Sequence, residues 1–286
     1  MDDPADVLVR IRGAVPGLQP AEQRVAATVL DDPAAAAQLS INALATGSDT
    51  STATVMRFCR AVGVGSYPRL RLALAAAAAR ENALEPPAGG GIDVHDTLAQ
   101  VVSKIIYNEA RALEETGAHL DIDVLRAGVE AVAGARRIDI IGVGASGFVG
   151  QDLHQKLHRI GLLAFVWTDA HAALTAAALL GPSDVAIGIS HSGTTADVVD
   201  PLRLAAGRGA TTLALTNFAG SPITRDADLV LTTAVREMPL RSGATASRIA
   251  QLAVVDCLFV GVAQLSYDAA TDALTSTYDA VQSRNL

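Results

Sequence analysis

Arg137-Ile138-Asp139-Ile140-Ile141-Gly142-Val143-Gly144-Ala145-Ser146-Gly147 is a short β-rich run that breaks into glycine, and a helical pattern follows it over 147–160. The same grammar recurs downstream. The spacing predicts strands over 163–167, 185–190, 211–216 and 229–233, and helices over 170–180, 196–207 and 244–265. Helices over 97–116 and 121–133 precede the first strand. Strands alternating with helices imply βαβ crossovers, so this part of the chain reads as an α/β domain with a five-stranded parallel sheet.

The residues before 84 contain only helical patterns, over 6–14, 20–30, 33–39, 40–46, 51–62 and 67–79. Between the two parts lies Glu85-Pro86-Pro87-Ala88-Gly89-Gly90-Gly91. Pro-Pro stops a helix and a glycine triplet cannot hold one. The expected organisation is therefore an all-α domain over 1–84, a linker over 85–95, and an α/β domain over 96–286.

Bulk composition narrows the class. The chain has 286 residues, a formal net charge of −8 and a mean hydropathy of +0.32. The excess hydrophobicity is alanine. The longest oily stretch, 252–262, is broken by Asp256 and falls short of the ~18 apolar residues that a span needs. The acidic start, Met1-Asp2-Asp3-Pro4, does not read as a secretory signal. Two distant cysteines, Cys59 and Cys257, sit in hydrophobic patterns and read as buried free thiols. The expectation is a cytoplasmic protein with no membrane segment. Charge is uneven along the chain. Residues 1–80 carry eight Arg and seven acidic residues, whereas the remainder carries 14 Lys+Arg against 23 Asp+Glu. Arg57 to Arg80 contains five arginines and no acid, a local basic patch compatible with phosphate contacts.

Residues 40–60 read as a helix capped by Ser40, a turn at Gly47-Ser48-Asp49, and a second helix from about Ser51. Val55, Phe58, Cys59 and Val62 form its buried stripe, which leaves Thr52, Ala53, Met56, Arg57 and Arg60 on the other face. The start of the second helix of a helix-turn-helix enters the DNA major groove. Ser51 and Thr54 are then candidates for phosphate contacts, and Thr52 and Arg57 for base edges. Arg60, Arg69 and Arg71 are further phosphate candidates. An ordinary helical hairpin with a solvated Ser/Thr/Arg face has the same periodicity.

Two strand-to-helix loops carry the chemistry of the α/β domain. Gly142-Val-Gly144-Ala-Ser146-Gly147 offers close backbone approach and a helix N-terminus. Ser190-His191-Ser192-Gly193-Thr194-Thr195 places four hydroxyls around one glycine at a second helix start. Both fall at carboxyl ends of parallel strands, where ligands bind. The expected ligand is a sugar phosphate, held by Gly144, Ser146, Ser190, His191, Ser192 and Thr195. Gly142, Gly144 and Gly147 also match the dinucleotide fingerprint, with Asp169 after the next strand. That alternative leaves residues 190–195 without a role. Glu237 is a candidate for a general base or for binding sugar hydroxyls, and equally for an ion pair with Arg236, Arg241 or Arg248. His154 and His158 are spaced i, i+4, but no metal-site pattern accompanies them; a partly exposed helix face is the plainer reading. His171 is a minor candidate. No cofactor, metal or catalytic residue is expected.

Taken together, these residues resemble the RpiR-type regulators, in which a helix-turn-helix is joined to a SIS (sugar isomerase) domain. Ser40-Ile-x-x-Leu-Ala and Ala53-Thr54-Val55-x-Arg57-Phe58-Cys59-Arg60-x-x-Gly63 are similar to that family's DNA-reading segment. Gly142-x-Gly144-x-Ser146, Ser190-x-Ser192-Gly193-x-Thr195, Ser221-Pro222 and Asp256-x-Leu258-Phe259 are similar to its SIS signature. His191 stands where Gln or Arg is common, and Thr50 where Val is typical. The resemblance implies a doubly wound SIS domain that dimerises, often to a tetramer. It also implies a phosphosugar effector that changes affinity for a double-stranded DNA operator. The alternative is a sugar-phosphate isomerase with Glu237 or a histidine as base.

Overall fold

The computed structural model describes residues 6–83, 91–236 and 244–282. The chain folds as two compact units. One is Met1–Tyr107 with Phe218–Gly220, and the other is Asn108–Asn217 with Ser221–Leu286.

The first unit is helical: α1 (Asp6–Ala14), α2 (Pro20–Asp31), α3 (Pro33–Gln38), α4 (Ile41–Gly47), α5 (Thr52–Ala61) and α6 (Tyr67–Ala83). Its core is built from Ile11, Val25, Val29, Leu44, Val55, Phe58, Cys59, Leu70 and Leu74. Phe58 is fully buried, and a side chain of that size typically accounts for ~3–5 kcal/mol when truncated to alanine. The expected stripe of α5 thus faces inward. Side-chain caps set the helix starts. Asp32 accepts from Ala35 N, Ser40 from Ala43 N and Ser51 from Thr54 N. α2 opens with a reciprocal box between Gln19 and Glu22.

The long helix α7 (Leu98–His119) runs across the boundary between the two units. Residues 85–90 of the expected linker lie outside the described residues.

The second unit continues with α8 (Ile122–Gly134), β1 (Arg137–Gly142), α9 (Gly144–Arg159), β2 (Ala164–Trp167), α10 (Ala170–Ala177), β3 (Asp184–Ile189), α11 (Ala196–Gly207), β4 (Thr211–Thr216), β5 (Leu229–Thr232), α12 (Thr245–Leu265) and α13 (Tyr267–Gln282). A 3-10 turn at Pro222–Thr224 connects β4 to β5. The strands are all parallel and lie in the order β2-β1-β3-β4-β5. One sheet face packs against α8, α9 and α12, the other against α10 and α11. The expected five-stranded doubly wound sheet is the one observed.

Three expectations are corrected. Helix α9 begins at Gly144 rather than Gly147, so Gly144 and Ser146 belong to its first turn. Cys257 is exposed while Cys59 is buried, because Val254, Val255 and Leu258 occupy the inward face of α12. Third, α12 is a 21-residue helix long and apolar enough to cross a membrane. Its apolarity is explained by packing, since Ala250, Val254, Val255, Leu258 and Val262 are buried.

Candidate functional site

Strand order places the two glycine-serine loops side by side. β1 and β3 are neighbours, and their following helices, α9 and α11, cover opposite sheet faces. The crevice at their carboxyl ends is a topological switch point, the usual ligand position in such sheets. A cavity of about 320 Å³ opens there. Ser146, Ser190, His191, Ser192 and Thr195 line it, together with Ser247 and Gln251 from α12. Gly144 does not line it; it has φ +57 and turns the chain into α9.

The phosphate-binding potential comes from backbone as much as from hydroxyls. Elsewhere in this unit, Asp121 and Asp169 cap α8 and α10 with their side chains. Around the cavity the N-caps of α9, α11 and α12 are Val143, Thr195 and Ala244, and none makes a side-chain cap hydrogen bond. All three of these residues line the cavity. Three helix starts therefore present partial positive charge to one space, the arrangement that favours an anion.

The 190–195 loop is preorganised. Ser190 Oγ accepts from Gly193 N at 3.1 Å and donates to Thr195 Oγ1 at 3.3 Å. Ser192 Oγ accepts from Thr194 N and from Thr194 Oγ1. The carbonyl of His191 accepts from Asn217 N and Thr216 Oγ1, which ties the loop to the end of β4. Ser190 is buried, so the more open hydroxyl of the pair is Ser192. Ser247 and Gln251 were not anticipated. Their signal was polar residues at i, i+4 on the same helical face as the buried Val255 and Leu258.

Several candidates fall away from the pocket. Asp169 accepts from Ala172 N at 2.9 Å as the cap of α10, a role that accounts for its position without a ribose. His171 is exposed on α10. His154 and His158 stack on each other at 5.9 Å, and among the described residues no group of three His, Cys, Asp or Glu is placed to hold a metal. Glu237 and Arg241 lie outside the described residues.

In the helical unit, α4, the turn and α5 form the expected helix-turn-helix. The turn is pinned by Arg24, which donates to the carbonyls of Ser48 and Asp49. Ser51, Thr52, Arg57 and Arg60 are exposed. Thr54 is not: it is 5% exposed, and its hydroxyl is engaged by Ser51 Oγ and by an Arg57 N–H at 3.0 Å. The Thr54 side chain, expected to face a phosphate, turns inward and bonds Arg57, because position 54 falls next to the inward stripe. On its other side Arg57 Nε lies 3.5 Å from Glu22 Oε1. Glu22 is buried, and its second oxygen accepts from Gln19 N. A buried carboxylate thus aims the exposed guanidinium.

The fold and both sites define a helix-turn-helix transcriptional regulator carrying a SIS domain. Residues 5–81 match the helix-turn-helix domain of the rpiR family, and residues 131–261 match the SIS domain. The chain is 37% identical over 281 residues to an uncharacterized HTH-type transcriptional regulator of Caldanaerobacter subterraneus subsp. tengcongensis, covering 98% of this chain and 99% of that protein. It is 32% identical over 272 residues to the uncharacterized regulator YbbH of Bacillus subtilis, covering 94% of each. Among solved structures it is similar to Vibrio vulnificus NanR complexed with ManNAc-6P, with 30% identity, a TM-score of 0.63, and coverage of 98% of this chain and 100% of that one. The sugar isomerase domain of an RpiR transcription factor from Sphaerobacter thermophilus matches with 30% identity and a TM-score of 0.58, over 62% of this chain and 98% of that one. The chain belongs to the rpiR family of helix-turn-helix regulators.

Proposed function

We propose that the protein is a cytoplasmic, homodimeric, DNA-binding regulator whose operator affinity is set by a phosphorylated sugar bound between the β1 and β3 loops. The observation that carries this reading is the cavity itself. Hydroxyls of Ser146, Ser192 and Thr195 and three uncapped helix starts meet in a space sized for a hexose phosphate. The NanR complex with ManNAc-6P makes that ester the first ligand to try. Thr52 and Arg57 read base edges, while Ser51 and Arg60 contact phosphates. Two such helices in a dimer match a pseudo-palindromic operator. The effector acts by binding one quaternary arrangement better than the other.

The test measures Tm against a panel of sugar phosphates that includes ManNAc-6P, with unphosphorylated sugars and NAD as controls. Operator binding with and without the best ligand follows, on DNA fragments selected in vitro, alongside a coupled isomerase assay. A selective Tm rise with one phosphate ester, an altered operator affinity and no turnover support the reading. Ser192→Ala removes the ligand response and leaves DNA binding intact. A Tm rise with NAD alone, or rapid turnover of the ester, overturns it.

A further inference from the structure

Gln251 has a hydrogen-bonding problem inside the pocket. It sits in the second turn of α12, 1% exposed, and lines the cavity. Its Oε1 lies 3.5 Å from Ser146 Oγ, the hydroxyl at the start of α9. Its Nε2 is buried and has no hydrogen-bond partner. A buried amide N–H left unmatched opposes folding, and native chains keep such groups where something outside the chain satisfies them. Gln251 follows the buried Ser247 by one turn, and beyond it the same helix face continues as Val254, Val255 and Leu258, so packing alone favours an apolar side chain there.

We propose that Gln251 selects the carbohydrate part of the effector, donating from Nε2 to an acceptor oxygen of the sugar. The proposal rests on the phosphosugar reading of the pocket. The phosphate has its own seat, the hydroxyl loop at 190–195 and the open amides of α11. Gln251 instead lies beside Ser146, on a different helix. Its acceptor end is occupied by the Ser146 hydroxyl, so the free end is a pure donor. The complementary ligand atom is a hydroxyl or carbonyl oxygen. A site built to hydrogen-bond such an oxygen rejects analogues that lack it far more strongly than an apolar pocket rejects a size mismatch.

The experiment uses the full-length chain, as wild type, Q251M and Q251E. The probes are the panel ester that most raises the wild-type Tm, its deoxy analogues, and inorganic phosphate. Q251M keeps the side-chain length and removes both polar ends. The unliganded Q251M protein is expected to melt at or above the wild-type temperature, because an unmatched donor is gone. Its Kd for the sugar phosphate is expected to rise by at least about tenfold, with phosphate affinity unchanged within about twofold. Q251E retains the acceptor and loses the donor, and it is expected to bind as weakly as Q251M. Wild type is expected to discriminate against one deoxy analogue, and Q251M to lose that preference. The proposal is overturned if Q251M binds the ester like wild type, if it weakens inorganic phosphate in parallel, or if Q251E retains full affinity. If wild type binds no ester of the panel, the phosphosugar reading falls first, and the Gln251 role with it. Wild-type binding with unaltered Q251M binding removes the Gln251 role alone.

Discussion

A Cβ added at Gly193 would lie 2.0 Å from Ser221 Oγ and 2.9 Å from Thr216 Oγ1, at a backbone φ of +64. The left-handed turn within the 190–195 loop thus admits only glycine, for steric and conformational reasons together. Gly193→Ala is expected to lower unfolding free energy by more than about 3 kcal/mol, read from the denaturant midpoint. Midpoints within error of wild type would show that the loop is not packed as described. The Glu22–Arg57 contact makes a second residue-scale prediction. Glu22→Gln preserves the box at the start of α2, because a carboxamide also accepts from Gln19 N. It removes only the charge that aims Arg57. Specific operator binding is expected to weaken by about 1 kcal/mol, against ~1–3 kcal/mol for Arg57→Ala. In the Arg57→Ala background, Glu22→Gln adds nothing; an additive double mutant contradicts the positioning role.

At the scale of elements, the difference between helices is how they begin. Residues Asp32, Ser40, Ser51, Asp121 and Asp169 close their helix starts, while the starts of α9, α11 and α12 at the cavity carry no side-chain cap. Helix phase decides the cysteines. Cys59 lies on the buried stripe of α5, and burial pushes its thiol up to about 11. Cys257 lies on the exposed side of α12. Thiol titration of the native protein with a maleimide is therefore expected to count one fast-reacting group, with the second appearing only in denaturant. Cys257→Ser removes the fast phase. Fast labelling at Cys59 would mean that the α5 stripe is not packed inward.

At the scale of the whole molecule, the sheet is stapled at its lower end by Arg136. Its guanidinium makes two hydrogen bonds to Asp184 at the start of β3, 3.0 and 2.8 Å long, and Gly181 N donates to the same carboxylate. Burial alone would raise the Asp184 carboxyl; Arg136 and the Gly181 amide outweigh it and hold it below the ordinary carboxylate range. A depressed folded-state pKa means stability that is fully present above the unfolded value near ~3.9 and lost as pH falls through the folded one. Unfolding free energy of wild type is expected to drop below about pH 4 more steeply than that of Asp184→Asn. Parallel acid profiles for the two proteins would show that the staple carries none of this dependence.

Chain order, composition and local spacing were enough for the architecture. Alternation of β-rich runs with helical periods is a local property, so the parallel sheet, the helix-turn-helix and the stripe Val55, Phe58, Cys59 and Val62 were legible, as were the two serine-rich loops. Helix α13 was not, because its inward stripe, Ala270, Ala273, Leu274 and Thr277, carries a single large apolar residue, while its tyrosines Tyr267 and Tyr278 are exposed. The Glu22–Arg57 contact beside Thr54 was not legible either, since it brings together residues of two helices. Strand order could not be read from periodicity, yet it alone sets Ser146 and Ser192 around one cavity. Gln251, 105 residues beyond Ser146, joins them only when α12 packs on α9. Local sequence thus determined which segments were helices, strands and glycine-serine loops, because those follow from neighbouring residues. Tertiary packing decided which distant polar groups line one cavity, because that depends on contacts between segments far apart in the chain.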